Sequence, residues 1–144
     1  EALDKAMLKV HQYTMLCAPR TAQHAAVAAL SGGFRDDFAI VTQMRTEYDR
    51  RRRFLVETFN RLGLTCFEPR GAFYVFPSVA ATGLTGEQFA ERLLLEEQVA
   101  VVPGSAFGEC GAEHVRCSYA TGMDELKEAA ARIARFVEKI GKNA

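Results

Sequence analysis

Residues 38–76, FAIVTQMRTEYDRRRRFLVETFNRLGLTCFEPRGAFYVF, change texture once, and that change decides the fold. In the first part Phe38, Val41, Met44, Tyr48, Leu55, Phe59 and Leu62 recur every three, four or seven residues, which lays one apolar stripe along a long helix. Gly63 is a natural stop, because glycine most easily takes the left-handed conformation that follows a helix. Beyond it the runs become short and rich in aromatic and β-branched residues. Leu64–Phe67 and Ala72–Phe76 flank Glu68-Pro69-Arg70-Gly71, a spacing that predicts a hairpin-like pair of strands around a turn. A long helix that gives way directly to strands places the chain in the α/β class.

On the N-terminal side, Leu3, Met7 and Val10 stand at helical spacing within residues 1–12. Pro19 suits a first helical position ahead of the alanine-rich run 21–30, and Ser31-Gly32-Gly33 is expected to end that helix. On the C-terminal side, Thr85-Gly86-Glu87-Gln88 has the form of a capping box, with Phe89 and Leu93 on one face of the helix it opens. Val99–Val102 reads as a buried strand stopped by Pro103-Gly104, and His114–Ala120 as another. Thr121–Asp124 offers a second capping box before a helix whose stripe is Leu126, Ala130, Ile133, Val137 and Ile140. The order predicts a two-layer α/β domain with a small mixed or antiparallel sheet covered by helices. Residues 1–34 are expected to be connecting helices and 35–144 the small domain proper.

Composition narrows the possible partners. The 144 residues include 18 basic and 18 acidic side chains, so no net charge draws the chain as a whole to nucleic acid or an anionic membrane. The run Arg50–Arg53 lies on the long helix, where four consecutive residues point around most of the circumference and cannot all face one partner. A solvated face with local pairs to Asp49 and Glu57 is expected instead. No apolar run is long enough to span a bilayer. Cys17, Cys66, Cys110 and Cys117 form no Cys-x-x-Cys pair, and His11, His24 and His114 complete no zinc spacing. Reduced thiols in a cytoplasmic protein, with no metal, are the expectation. The first residue is Glu1 rather than Met, which suggests a boundary inside a longer chain.

No catalytic set can be assembled from the chain: it contains no nucleophile elbow, no phosphate loop and no dinucleotide fingerprint. One cation and two glycine-bearing loops remain. Arg116 would share a strand face with the small residues Ser118 and Ala120, leaving room beside a guanidinium whose N–H fork matches a carboxylate. Spacing alone leaves that reading level with an arginine on a solvent-facing strand. The loop Gly104-Ser105-Ala106-Phe107-Gly108 and the segment Gly71-Ala72-Phe73-Tyr74 each put glycine beside an aromatic, where it would permit positive φ or close approach, or simply make a turn.

Taken in order, these segments resemble the class I aminotransferases of the aspartate aminotransferase superfamily. The matching pieces are Pro19 with its alanine-rich helix, Tyr48 before the arginine run, Gly71–Pro77, Val101–Gly108, Val115–Ala120 and the last helix. The resemblance covers nearly the whole chain and implies the C-terminal domain of a fold-type-I pyridoxal-phosphate enzyme that moves an amino group from an amino acid, aspartate-like or aromatic, to a 2-oxo acid. It implies that Arg116 grips the substrate α-carboxylate and that Gly71, Ala72, Phe73, Tyr74, Gly104, Ser105 and Phe107 line the mouth of the cleft. It also implies a homodimeric parent in which this part works against its own large domain. Such enzymes need a lysine that forms a Schiff base with the cofactor. None of Lys5, Lys9, Lys127, Lys139 and Lys142 stands in the family's Ser-x-x-Lys context, so this part is expected to bind no cofactor and to be inactive alone. The other class of function left open is a non-catalytic domain that uses Arg116 to hold an amino acid or other carboxylate.

Overall fold

The computed structural model describes residues 1–15 and 17–142. They fall into two compact units, Glu1–Gln43 and Met44–Ala144, a division inside the third helix.

The first unit holds α1 (Ala2–Thr14), α2 (Arg20–Asp36) and the start of α3 (Ala39–Arg61). Pro19 caps α2 with extended ψ rather than occupying its first turn. Ser31-Gly32-Gly33 does not end α2, contrary to expectation; the helix runs on to Asp36 and stops at Asp37, with Asp37 and Phe38 both at φ 53°. The reason is packing. The Phe38 ring lies where a Cβ on Gly33 would stand, 2.3 Å from its Cε1, so Gly33 serves close approach rather than a turn.

The second unit contains the rest of α3, β1 (Tyr74–Val75), α4 (Gly86–Glu97), β2 (Val102–Pro103), β3 (Val115–Ser118) and α5 (Met123–Gly141). As the sequence predicts, α3 ends at Gly63, which takes φ 77° while the Leu64 N–H returns to the Phe59 carbonyl at 3.0 Å. The Thr85–Gln88 capping box is complete in both directions, 3.2 and 3.1 Å. The second box does not form: Gly122 caps α5 without a side-chain bond.

The sheet is antiparallel in the order β1-β3-β2, with Tyr74 opposite Ser118 and Val102 opposite Arg116. The expected hairpin of 64–67 with 72–76 is absent. Asn60, on the last turns of α3, donates to the Cys66 carbonyl and accepts from its N–H, at 2.9 and 3.0 Å. The backbone groups of Cys66 are thus taken by a helix side chain, while toward the strand side the Thr65 carbonyl accepts from the Ser78 N–H at 2.8 Å. Two sides of a core meet on β3. Leu55 and Phe59 of α3, Phe89 and Leu93 of α4, and Leu126, Ile133 and Phe136 of α5 bury with Val75, Val115, Cys117 and Tyr119.

Candidate functional site

Strand alternation sorts β3 into two faces. Val115 and Cys117 point into the core, while Arg116 is half-buried and Ser118 exposed on the other side. Burial pushes the Cys117 thiol up to about 12, which marks how dry the core face is. Cys66 is also raised by burial.

On the opposite face Arg116 lies between two rings. Its Cζ is 4.3 Å from the centroid of Tyr74 and 4.7 Å from that of Phe107. The sequence predicted open space beside this guanidinium; aromatic faces occupy two sides of it. Among the described residues Arg116 makes no ion pair and its guanidinium donates no hydrogen bond. A cation held between π faces keeps its N–H donors at the rim of the guanidinium plane, where a planar anion can meet them.

Phe107 reaches this position because Gly104–Phe107 forms a single 3₁₀ turn directly after β2. Gly104 is buried, and a Cβ there would stand 2.2 Å from the Gly111 carbonyl and 2.8 Å from that of His114. Gly111 meets Gly104 in the same way from the other side, at 2.3 Å. Glycine in this loop therefore permits close approach of two backbones. In the other loop Gly71 has open space around it, and the left-handed conformation belongs to Ala72, at φ 58°.

Of the residues singled out from sequence, Arg116, Tyr74 and Phe107 come into contact, with Phe73 one ring further, 4.6 Å from Tyr74. Ser105 turns away and its hydroxyl donates to Glu87 of α4 at 2.9 Å. Gly71 touches none of them closely. Phe76 and His114, not singled out, extend the row: they stack at 5.1 Å with planes 8° apart, and Phe76 meets Phe107 edge-on. Tyr48 continues it at the other end, 6.3 Å from Phe73 and 6.2 Å from Tyr119. Period two could have found part of this, since Tyr74 with Phe76 and His114 with Arg116 are i, i+2 pairs on one strand face.

The arginine run is tied up by ion pairs. Arg50 and Arg51 pair with Glu47, and Arg52 and Arg53 with Asp49; Arg52 also reaches Glu68. Asp49 is thus a partner as expected, while the other acids used are Glu47 and Glu68 rather than Glu57. Hydrogen bonds from these arginines hold all three carboxylates below their ordinary range.

Among the described residues of the second unit no lysine is in contact with Arg116. Lys5 pairs with Glu1 on α1, Lys127 with Asp124 and Lys139 with Glu96 from α5, and Lys9 and Lys142 lie on α1 and at the end of α5. No group of three or more potential metal ligands occurs among the described residues, and no described helix is long and apolar enough to cross a membrane.

The mixed α/β architecture with its small antiparallel sheet matches that of solved aminotransferase structures. Residues 1–133 match the family model for aminotransferase class I and II, and the chain belongs to that family. YugH of Bacillus subtilis, an aminotransferase by name, is 52% identical over 95% of this chain and 34% of its own length. The aspartate aminotransferase of Pyrococcus abyssi is 44% identical over 92% of the chain and 34% of that protein. In structure, the aromatic aminotransferase of Pyrococcus horikoshii superposes with a TM-score of 0.82 at 43% identity, covering 94% of this chain and 36% of that one. The chain spans about a third of the length of the curated relatives it matches.

Proposed function

We propose that this chain is the C-terminal small domain of a pyridoxal-phosphate aminotransferase and that Arg116 binds the substrate α-carboxylate. The observation that carries the reading is the state of Arg116: flanked by Tyr74 and Phe107, and without an acidic partner among the described residues. Arg50 to Arg53 pair with carboxylates of their own or a nearby segment, whereas the half-buried Arg116 is flanked by rings instead. An arginine left unpaired between two rings is held in a fixed plane for an anion from outside. The rings limit its rotation and strip water from its faces, so that a carboxylate arriving in plane gains two charge-assisted hydrogen bonds with little reorganisation.

The cofactor supplies the chemistry at Cα and is held by the large domain, in a homodimer, in the cytoplasm. This chain's part is to bind and orient an amino acid and, in the return half, a 2-oxo acid. Because every donor carries the α-carboxylate, the role of Arg116 is common to aspartate-like and aromatic donors. Replacing it in the full-length enzyme (Arg116→Lys) exchanges a planar fork for a point charge. The expected loss in kcat/KM is roughly 10- to 1,000-fold, ~1.4–4 kcal/mol, for all donors alike. Unchanged kinetics across donors would remove Arg116 from the role.

A further inference from the structure

β3 runs directly into Tyr119, a residue that the carboxylate contact just described does not use. Its side chain is 2% exposed, and burial pushes its hydroxyl further from ionisation, so it stays a donor. That hydroxyl donates to the Ala72 carbonyl at 3.0 Å, and the Tyr119 backbone N–H donates to the next carbonyl, Phe73, at 2.9 Å. One residue therefore holds two successive carbonyls of the segment leading into Tyr74.

The segment needs holding. Ala72 stands at φ 58°, a conformation that an alanine Cβ disfavours and a glycine does not. The glycine beside it, Gly71, has no such φ. Among the described residues, the Tyr119 hydroxyl makes the one side-chain hydrogen bond to residues 70–73. Tyr48 adds a stacked ring against Phe73 and an edge contact to Tyr119. Immediately after this strained turn comes Tyr74, whose ring lies against the Arg116 guanidinium.

We propose that Tyr119 is a positioning residue for substrate binding: its hydroxyl keeps Ala72 in the left-handed conformation, which sets Tyr74, which in turn sets the plane of Arg116. The inference rests on the reading of Arg116 as the carboxylate arginine. Without the hydroxyl, the turn relaxes part of the time to a conformation that suits alanine. The binding-competent fraction falls, and the apparent affinity for substrate falls with it. Saturating substrate draws the turn back, so the turnover rate holds.

The test is steady-state kinetics of the full-length enzyme with an amino-acid donor, for Tyr119→Phe, Ala72→Gly and the double variant. Tyr119→Phe is expected to raise KM about 3- to 10-fold with kcat within about twofold. Ala72→Gly removes the conformational penalty, so adding it to Tyr119→Phe is expected to restore most of the KM. Ala72→Val, with Tyr119 intact, increases the strain and is expected to raise KM as Tyr119→Phe does. An unchanged KM in Tyr119→Phe overturns the proposal, and so does a raised KM that Ala72→Gly fails to restore. If Arg116→Lys loses kcat/KM while Tyr119→Phe changes nothing, the positioning role alone fails. If Arg116→Lys is silent, the carboxylate reading fails and takes this inference with it.

Discussion

Substituting alanine at Gly104 tests whether the backbone packing beneath the arginine is as tight as it looks. A Cβ there would meet the Gly111 carbonyl oxygen at 2.2 Å, the His114 carbonyl at 2.8 Å and the Phe76 Cζ at 2.8 Å. Two of the three are backbone atoms and cannot rotate away. Either the 3₁₀ turn lifts off or residues 111–114 shift, and the Gly104 N–H to His114 carbonyl bond of 2.8 Å is the first casualty. Overpacking of this kind costs about 1–3 kcal/mol and a buried hydrogen bond about 1 more, so Gly104→Ala should destabilise by roughly 2–4 kcal/mol. Gly71→Ala is the control. It carries glycine in the companion loop, but its Cβ would meet nothing within 4 Å and no positive φ is involved, so the change should stay within about 0.5 kcal/mol. Urea unfolding followed by circular dichroism gives both values. If Gly104→Ala costs less than about 1 kcal/mol, the turn has room to move, and the placement of Phe107 over Arg116 cannot depend on this contact.

Two further predictions concern ionisation. Glu47 sits below the ordinary carboxylate range, chiefly through its hydrogen bonds to Arg50 and then Arg51, so its share of stability is present above the unfolded value and is lost as pH falls through the lowered folded one. Glu47→Gln should therefore lower the urea midpoint slightly at neutral pH, with the gap to wild type closing below about pH 4; a gap that persists at lower pH refutes it. Cys117, with its thiol pushed up to about 12, and Cys66, also raised by burial, should resist a thiol reagent in the native chain while exposed Cys17 and Cys110 react. All four should react after unfolding, and fast native labelling of Cys117 would show that the β3 core face is open.

What could be read from the sequence was whatever a single element decides for itself. The α3 helix, its stop at Gly63 and the Thr85–Gln88 box are local, and each stands where the pattern put it, although the stripe buries only in its later half: Phe38 precedes the helix, and Val41 and Met44 are exposed. The misreadings share a cause: the residue's partner was distant or of another kind. Leu64–Phe67 has strand composition, but the Asn60 side chain takes the backbone groups of Cys66. Gly32-Gly33 looks like a helix stop, but Gly33 makes way for the Phe38 ring. Arg116 was legible as a cation on a strand; Phe107 as its neighbour was not, because a 3₁₀ turn after β2 brings it there. For the glycine-bearing loops, where positive φ, close approach and a plain turn all stood open, Gly104 serves close approach and Gly108 takes φ 128° in one, while in the other the positive φ falls on Ala72 rather than Gly71.

The glycine packing and the arginine belong to one problem, which is register. On β3 a slip of one residue would exchange the faces, driving Arg116 into the space of Val115 and Cys117, and bringing the thiol out beside Tyr74. A guanidinium without a partner in that core is a cost no small sheet could absorb. Yet β1 and β2 are two residues each, too short to fix a register by their own ladders. The pinning comes from outside them. Gly86 N–H bonds the Ala112 carbonyl at 2.7 Å, Val79 N–H that of Glu113 at 2.8 Å, and Gly104 N–H that of His114 at 2.8 Å, while Val115 N–H returns to Pro77 at 3.1 Å. Four successive residues before Arg116 are thus fastened, and at two of the points only glycine lets the backbones close to that distance, since a Cβ on Gly86 would stand 2.2 Å from the His114 carbonyl. The sheet can be this small and still present its arginine on the aromatic face because the approach to β3, rather than the sheet itself, holds the register.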